Sequence, residues 1–208
     1  MDGRAAEVQS PASHAPEKLA WLKPAVFLGS LAPLLSIVLR FVQGQFVDPV
    51  SEALNLLGLL ALIFIIASLA CTPLQLISGW KWPLRLRKML GLFGFLYALL
   101  HFALYAAVDQ GFDFKIIFED ITTRRFIAVG FAAFVLMIPL ALTSTGGAIR
   151  RMGAQRWKNL HKLAYLVAIL AVIHFVWRVK SDYTQPLIYG GIVVVLLAVR
   201  LLKRAKRS

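Results

Sequence analysis

Three histidines fall in apolar stretches of this chain: His101 in RKMLGLFGFLYALLHF (87–102), and His161 and His174 in WKNLHKLAYLVAILAVIHF (157–175). Imidazole binds metals, moves protons near neutral pH and hydrogen-bonds through either ring nitrogen. Taken singly, each of the three can equally serve by bonding a neighbouring helix. Their spacing says more. His101 precedes Asp109 by eight residues, and His174 precedes Asp182 by eight. On helices crossing a membrane in the same direction, the two rings stand at one depth. Two imidazoles at one depth on neighbouring helices can hold a haem iron from both faces. His161 lies thirteen residues before His174, about 20 Å lower at helical rise, a reasonable offset for a second redox centre. Thirteen residues at about 100° each leave these two roughly 140° apart around an ideal helix. Either that helix bends or starts late near Lys158, or the rings face different sides. Level with His161 on the helix of His101 stand Arg87 and Lys88. Neither is a usual iron ligand, but arginine suits a haem propionate or a flavin phosphate. Zinc is the weaker reading, because it takes three or four ligands close together and His161 is too deep to join the other pair.

The elements that must position these rings are read from hydropathy. Of 208 residues, 59% are hydrophobic and 16% charged, and the mean hydropathy is +0.73; a soluble domain carries about a quarter charged residues. The apolar residues form six long blocks: Ala25–Val42, Ala53–Cys71, Met89–Val108, Phe126–Leu142, Leu160–Trp177 and Pro186–Leu202. A bilayer core needs roughly 20 such residues per helix, and unpaired backbone polar groups are not tolerated in lipid. The expected fold is therefore all-α, an integral membrane six-helix bundle. Arg40 and Arg200 sit near the ends of the first and last blocks, where long side chains can reach back to the headgroups.

The net charge of +13 invites a nucleic-acid reading, and the placement of the charges argues against it. Basic segments (Arg4, Lys18 and Lys23; Lys81, Arg85, Arg87 and Lys88; Arg150, Arg151, Arg156 and Lys158; Lys203, Arg204, Lys206 and Arg207) alternate with acidic ones (Asp48 and Glu52; Asp109, Asp113, Glu119 and Asp120; Asp182). By the positive-inside rule both termini and the second and fourth loops face the cytoplasm, as an even span count requires. The basicity is topology, with contact to membrane lipid and no nucleic-acid partner.

The expected organisation is a disordered cytoplasmic tail (1–22), one six-span unit (23–203) and a short basic cytoplasmic tail (204–208). His14 lies in the first tail and is discounted as a ligand. No cleavable signal peptide is visible, and no nucleotide-binding glycine motif or P-loop is present. The lone Cys71 reads as inert packing, and no C-x-x-C-H motif offers covalent haem attachment. Gly146-Gly147 reads as a helix stop in preference to a phosphate cradle. The loop DQGFDFKIIFEDITTRR (109–125) suits equally a segment on the membrane surface and a docking site for an external partner. The tryptophans fall near block ends, where amphipathic rings settle.

The stretches RKMLGLFGFLYALLHF (87–102) and LALTSTGGAIRRMGAQRWKNLHKLAYLVAILAVIHF (140–175) resemble the ferric reductase-like transmembrane superfamily. Within it they are similar to the haem-binding membrane subunits of bacterial methionine sulfoxide reductase systems. The resemblance covers essentially the whole chain. It implies a multi-pass protein of the bacterial inner membrane that binds b haem, one or two, and FMN. It implies electron transfer from the quinone pool, or from a cytosolic flavin reductase, to a periplasmic molybdopterin-containing catalytic subunit that reduces methionine sulfoxide in oxidised proteins. The histidines of those subunits match His101, His161 and His174 here. The wider superfamily often has two histidines in each of spans three and five, and this chain departs from that at Arg87 and Lys88. The expected site is therefore His101, His174 and His161 as iron ligands, with Arg87 as a further cofactor contact. Two rival readings follow from the same buried histidines: a stand-alone transmembrane reductase of ferric or other metal ions, and a non-redox carrier. Few acids within the spans and no obvious inverted repeat count against a carrier.

Overall fold

The structure, a computed structural model, describes residues 21–205; the expectations for His14, for most of the N-terminal tail and for residues 206–208 fall outside them. The described residues form helices α1 (Leu22–Val42), α2 (Pro49–Ser78), α3 (Trp82–Leu104), α4 (Phe114–Thr123), α5 (Arg125–Leu142), α6 (Gly146–Met152), α7 (Ala154–Leu160), α8 (Leu163–Arg178) and α9 (Thr184–Ala205), with no strand. A π turn, Tyr105–Asp109, continues α3. Six stretches are long and apolar enough to cross a membrane: Leu22–Val42, Pro49–Ser78, Trp82–Asp109, Arg125–Leu142, Ala154–Arg178 and Thr184–Lys203. The protein is thus an all-helical, multi-pass membrane protein. Large apolar side chains such as Leu28, Val42, Leu187 and Val194 are more than half exposed, as lipid-facing residues must be.

Local chemistry sets the helix ends. α2 begins at Asp48, whose carboxylate accepts the Ser51 N–H at 3.2 Å, with Pro49 in the first turn; a proline there sacrifices no helical bond. It ends at Gly79, which takes φ +75°, a left-handed stop that glycine adopts without a Cβ penalty. Its 30 residues extend about 45 Å, well past the apolar block Ala53–Cys71. α4 is capped by Asp113, which accepts from the Lys115 and Ile116 N–H groups. Thr145 caps α6 by accepting from Ala148 N at 3.1 Å. Gly146-Gly147 thus open a short helix, and the preceding span ends at Leu142. Beyond α8, the Thr184 N–H donates to Asp182 at 2.9 Å and holds that carboxyl below the usual range.

α2 is the central helix. One apolar cluster joins it to α5, α8 and α9 through Leu62, Ile65, Ile66, Leu69, Met137, Val167 and Val193. A second joins it to α1 and α3 through Ile37, Leu57, Ala61, Phe93 and Tyr97. Tyr97 is fully buried, and its hydroxyl donates to the Ser30 carbonyl at 2.7 Å, tying the peripheral α1 to α3. The bundle has two ends, distinguished by charge. Asp48, Glu52, α4 and Asp182 mark the acidic end; the α2–α3 connection and the α6–α7 segment, with their arginines and lysines, mark the basic end.

The alternative left open for span five is decided here, and one expectation changes. Span five does not run as one helix: α7 stops at Leu160, His161 and Lys162 form a turn, and α8 restarts at Leu163. The break lies at the histidine itself, so the roughly 140° offset of an unbroken helix does not describe it. Arg200 does not reach out to the headgroups. It turns inward, its Nη2 donating to the Leu69 carbonyl and its guanidinium lying 5.0 Å from the Tyr165 ring centre. Arg40 stays more exposed, over the Phe46 ring and 3.8 Å from Glu52.

Candidate functional site

His101 on α3 and His174 on α8 face each other across the bundle, ring centres 6.3 Å apart and planes near perpendicular at 79°. Two imidazoles that each reach a metal at about 2 Å from opposite sides have ring centres roughly 6 Å apart. Each ring is seated in the same way. His101 Nδ1 lies 2.9 Å from the Leu54 carbonyl of α2, and His174 Nδ1 lies 2.7 Å from the Phe126 carbonyl of α5. A carbonyl only accepts, so Nδ1 carries the proton and donates. Each ring therefore keeps Nε2 as its lone-pair nitrogen, the tautomer a metal ligand needs.

Glycine makes both seats possible. Gly58 lies one turn after Leu54, and Gly130 one turn after Phe126. A Cβ on Gly58 would meet His101 Nδ1 and Cε1 at 3.2 Å; one on Gly130 would meet His174 Nδ1 at 2.6 Å and Cε1 at 2.8 Å. The second distance is below any real Cβ contact, so Gly130 is required for this ring position. Leu54 and His101 are 47 residues apart, and Phe126 and His174 are 48 apart. The helix pairs α2–α3 and α5–α8 thus repeat one arrangement: a carbonyl, a glycine one turn on, then a histidine followed by phenylalanine (Phe102, Phe175). Nothing in the sequence alone sets Gly58 and Gly130 apart, because the seats exist only once α3 and α8 pack against α2 and α5.

The two rings line a cavity of ≈ 360 Å³ between α2, α3, α5 and α8, within the range of cofactor pockets. Its walls include Ile65, Ala98, Phe134, Met137, Val167 and Ala171, and its acidic-end rim carries Ser51, Asn55, Tyr105, Asp109, Arg124 and Arg178. Phe134 stacks on Phe102 and Phe95 at 5.0 and 6.0 Å, building an aromatic wall from α3 and α5. The rim is braced: the Tyr105 hydroxyl donates to Asp120 at 2.8 Å, and Arg124 pairs with the same buried carboxylate at 3.0 Å. The π turn that carries Tyr105 is a feature often found beside functional sites. The donor set, the apolar walls and the rim cations fit a b haem, with Arg178 placed for a propionate. Among the described residues no group of three or more His, Cys, Asp or Glu side chains could hold a metal ion.

His161 is elsewhere, at the basic end, and is held differently. Its ring stacks on Trp157 at 4.0 Å. Its Nε2 lies 3.1 Å from Thr143 Oγ1, and the Thr143 hydroxyl itself donates to the Pro139 carbonyl at 2.6 Å. The hydroxyl has one proton, so His161 Nε2 must be the donor to Thr143. Trp157 Nε1 also bonds the Thr143 carbonyl, at 2.9 Å. The structure brings His101 and His174 together and leaves His161 apart, with the Arg87 charge as its cationic neighbour. Arg87 reaches toward Thr72 Oγ1 at 3.4 Å, and its carbonyl accepts from Ser68 Oγ at 2.8 Å. Counting thirteen residues back from His101, as from His174 to His161, lands on Lys88; a lysine thus replaces the imidazole that a second pair would need.

Residues 55–172 match the family described as ferric reductase like transmembrane component. The chain is similar to the protein-methionine-sulfoxide reductase heme-binding subunit MsrQ of Rhodospirillum rubrum, 47% identical over 184 residues covering 88% of each chain. It is similar to the subunit of the same name from Herminiimonas arsenicoxydans, 42% identical over 93% of this chain and 92% of the relative. With that of Deinococcus radiodurans it shares 44% identity over 89% of this chain and 92% of the relative.

Proposed function

The chain belongs to the ferric reductase-like transmembrane family and, within it, to the haem-binding subunits of protein-methionine-sulfoxide reductase, and on that footing we propose that it carries electrons across the bacterial inner membrane to a periplasmic molybdopterin-containing catalytic subunit that reduces methionine sulfoxide in oxidised proteins. The acidic end faces the periplasm by the positive-inside rule. The donor is quinol or a cytosolic flavin reductase, engaged at the basic end.

One observation carries the reading: the duplicated seating of His101 and His174, each with Nδ1 on a helix carbonyl and the ring against a glycine. A bound b haem takes up and releases one electron without proton chemistry at the iron. What the protein supplies is position. Leu54 and Phe126 fix both rings in the ligating tautomer, Phe134 and its neighbours exclude water, and Arg178 offers charge to a propionate. At the basic end His161, Trp157 and Arg87 line the place we assign to FMN, which accepts electrons singly or in pairs and so matches either donor to the haem. The exposed Phe114 and Phe118 of α4, beside the braced rim, offer the catalytic subunit an apolar docking edge.

The visible spectrum of the purified protein, before and after dithionite, tests this. A low-spin b-type spectrum is expected, lost in both His101→Ala and His174→Ala. Full haem retention in both variants sinks the assignment.

A further inference from the structure

We propose that Arg200 of the last span, together with Arg87, forms a seat for a phosphate group inside the basic end of the bundle, and that this phosphate is the one carried by FMN. The inference rests on the flavin reading above. Arg200 has headgroups within reach of its long side chain, yet it folds into the protein. Nη2 donates to the Leu69 carbonyl, the guanidinium lies beside Tyr165, whose hydroxyl is a further polar neighbour there, and Nε and Nη1 are buried without a hydrogen bond of good geometry among the described residues. Arginine stays charged in proteins, and a buried donor left without an acceptor is costly. A carbonyl and the Tyr165 side chain satisfy part of the fork and leave the rest.

Arg87 reaches the same stretch of α2. It meets Thr72, and Arg200 meets Leu69, three residues apart and so on one face of the helix. One turn nearer the end, Lys203 Nζ donates to the Leu76 carbonyl. No carboxylate is available to neutralise this cluster from the surrounding helices, because residues 53–108, 121–181 and 183–208 contain no Asp or Glu. Converging guanidinium forks are the donor arrangement that matches the oxygens of a phosphate. Arg87 stands fourteen residues before His101 and His161 thirteen before His174, so the seat adjoins the level assigned to the flavin. A lipid headgroup offers the same phosphate chemistry from the other side, and the test separates the two sources.

The protein is purified in detergent, stripped of flavin, and titrated with FMN and with riboflavin, which lacks the phosphate; haem absorbance reports intact folding. Wild type is expected to prefer FMN by roughly 10–100-fold, the worth of a charge-assisted hydrogen bond or two. In Arg200→Gln the preference should collapse to a few-fold with riboflavin affinity and haem spectrum retained. Arg200→Lys, a point charge without the fork, should fall between. An unchanged FMN preference in Arg200→Gln overturns the proposal. If wild type binds neither flavin, the flavin reading fails, and phosphorus in the co-purified lipid decides the seat. A drop in Arg200→Gln assigns it to a lipid phosphate, and no drop removes it altogether.

Discussion

At the acidic end, His101 and His174 each commit Nδ1 to a helix carbonyl and keep Nε2 free; at the basic end, His161 commits Nε2 to Thr143 and stacks on Trp157. One residue type thus serves two purposes in one bundle, and the difference lies in the neighbours. Where a backbone carbonyl and a glycine meet the ring, imidazole is held with Nε2 free. Where a threonine hydroxyl and an indole meet it, imidazole becomes part of a polar, flat-sided wall with arginines nearby. Counting histidines would have treated the two levels alike.

The sharpest way to break the comparison is to fill the glycine seats. Gly130→Ala places a methyl group 2.6 Å from His174 Nδ1, and overpacking of this kind costs about 1–3 kcal/mol. Haem affinity should fall roughly 10–100-fold, read as Soret absorbance per protein. Gly58→Ala, with its closest contact at 3.2 Å, should lower it several-fold at most. Equal losses in the two would show that the seats are not doing the positioning. Gly191→Ala, with nothing within 4 Å, is the control.

Removing His161 sharpens the contrast between levels. His161→Ala should leave the haem-to-protein ratio and the low-spin spectrum unchanged while flavin content drops. A halved haem ratio would instead mean that the basic end holds a second haem. The smallest effect is expected from Thr143→Val, which removes one hydrogen bond from His161 at about 1 kcal/mol. Thermal stability should decline by a few degrees or less, with haem content constant. A lost haem spectrum in this variant would contradict the separation of the two levels.

Much of this was legible before any coordinates. Six apolar blocks and alternating charges specify the spans, since lipid forces each block into a helix and hydropathy is a property of consecutive residues. The equal distance of His101 and His174 from the next acidic residue placed them at one level, because helical rise is constant. The replacement of a second span-three histidine by Arg87 and Lys88 was equally visible. Three things were not. Gly58 and Gly130 are ordinary helix residues until another helix is laid against them. A bend near Lys158 was one of two readings of the helical offset, but that the turn falls at His161 itself, with no proline there, was not visible. Arg200 has the sequence position of a headgroup-seeking arginine, and only packing against α2 and α8 turns it inward.

Sequence alone therefore determined the number of spans and the level of each histidine, both consequences of local composition and regular helical geometry. Tertiary structure decided which ring nitrogen stays free, which glycines the rings lie against and where Arg200 places its charge. Each of these depends on a partner far away in the chain, 47 residues or more for the hydrogen bonds, and such contacts exist only once the helices have packed.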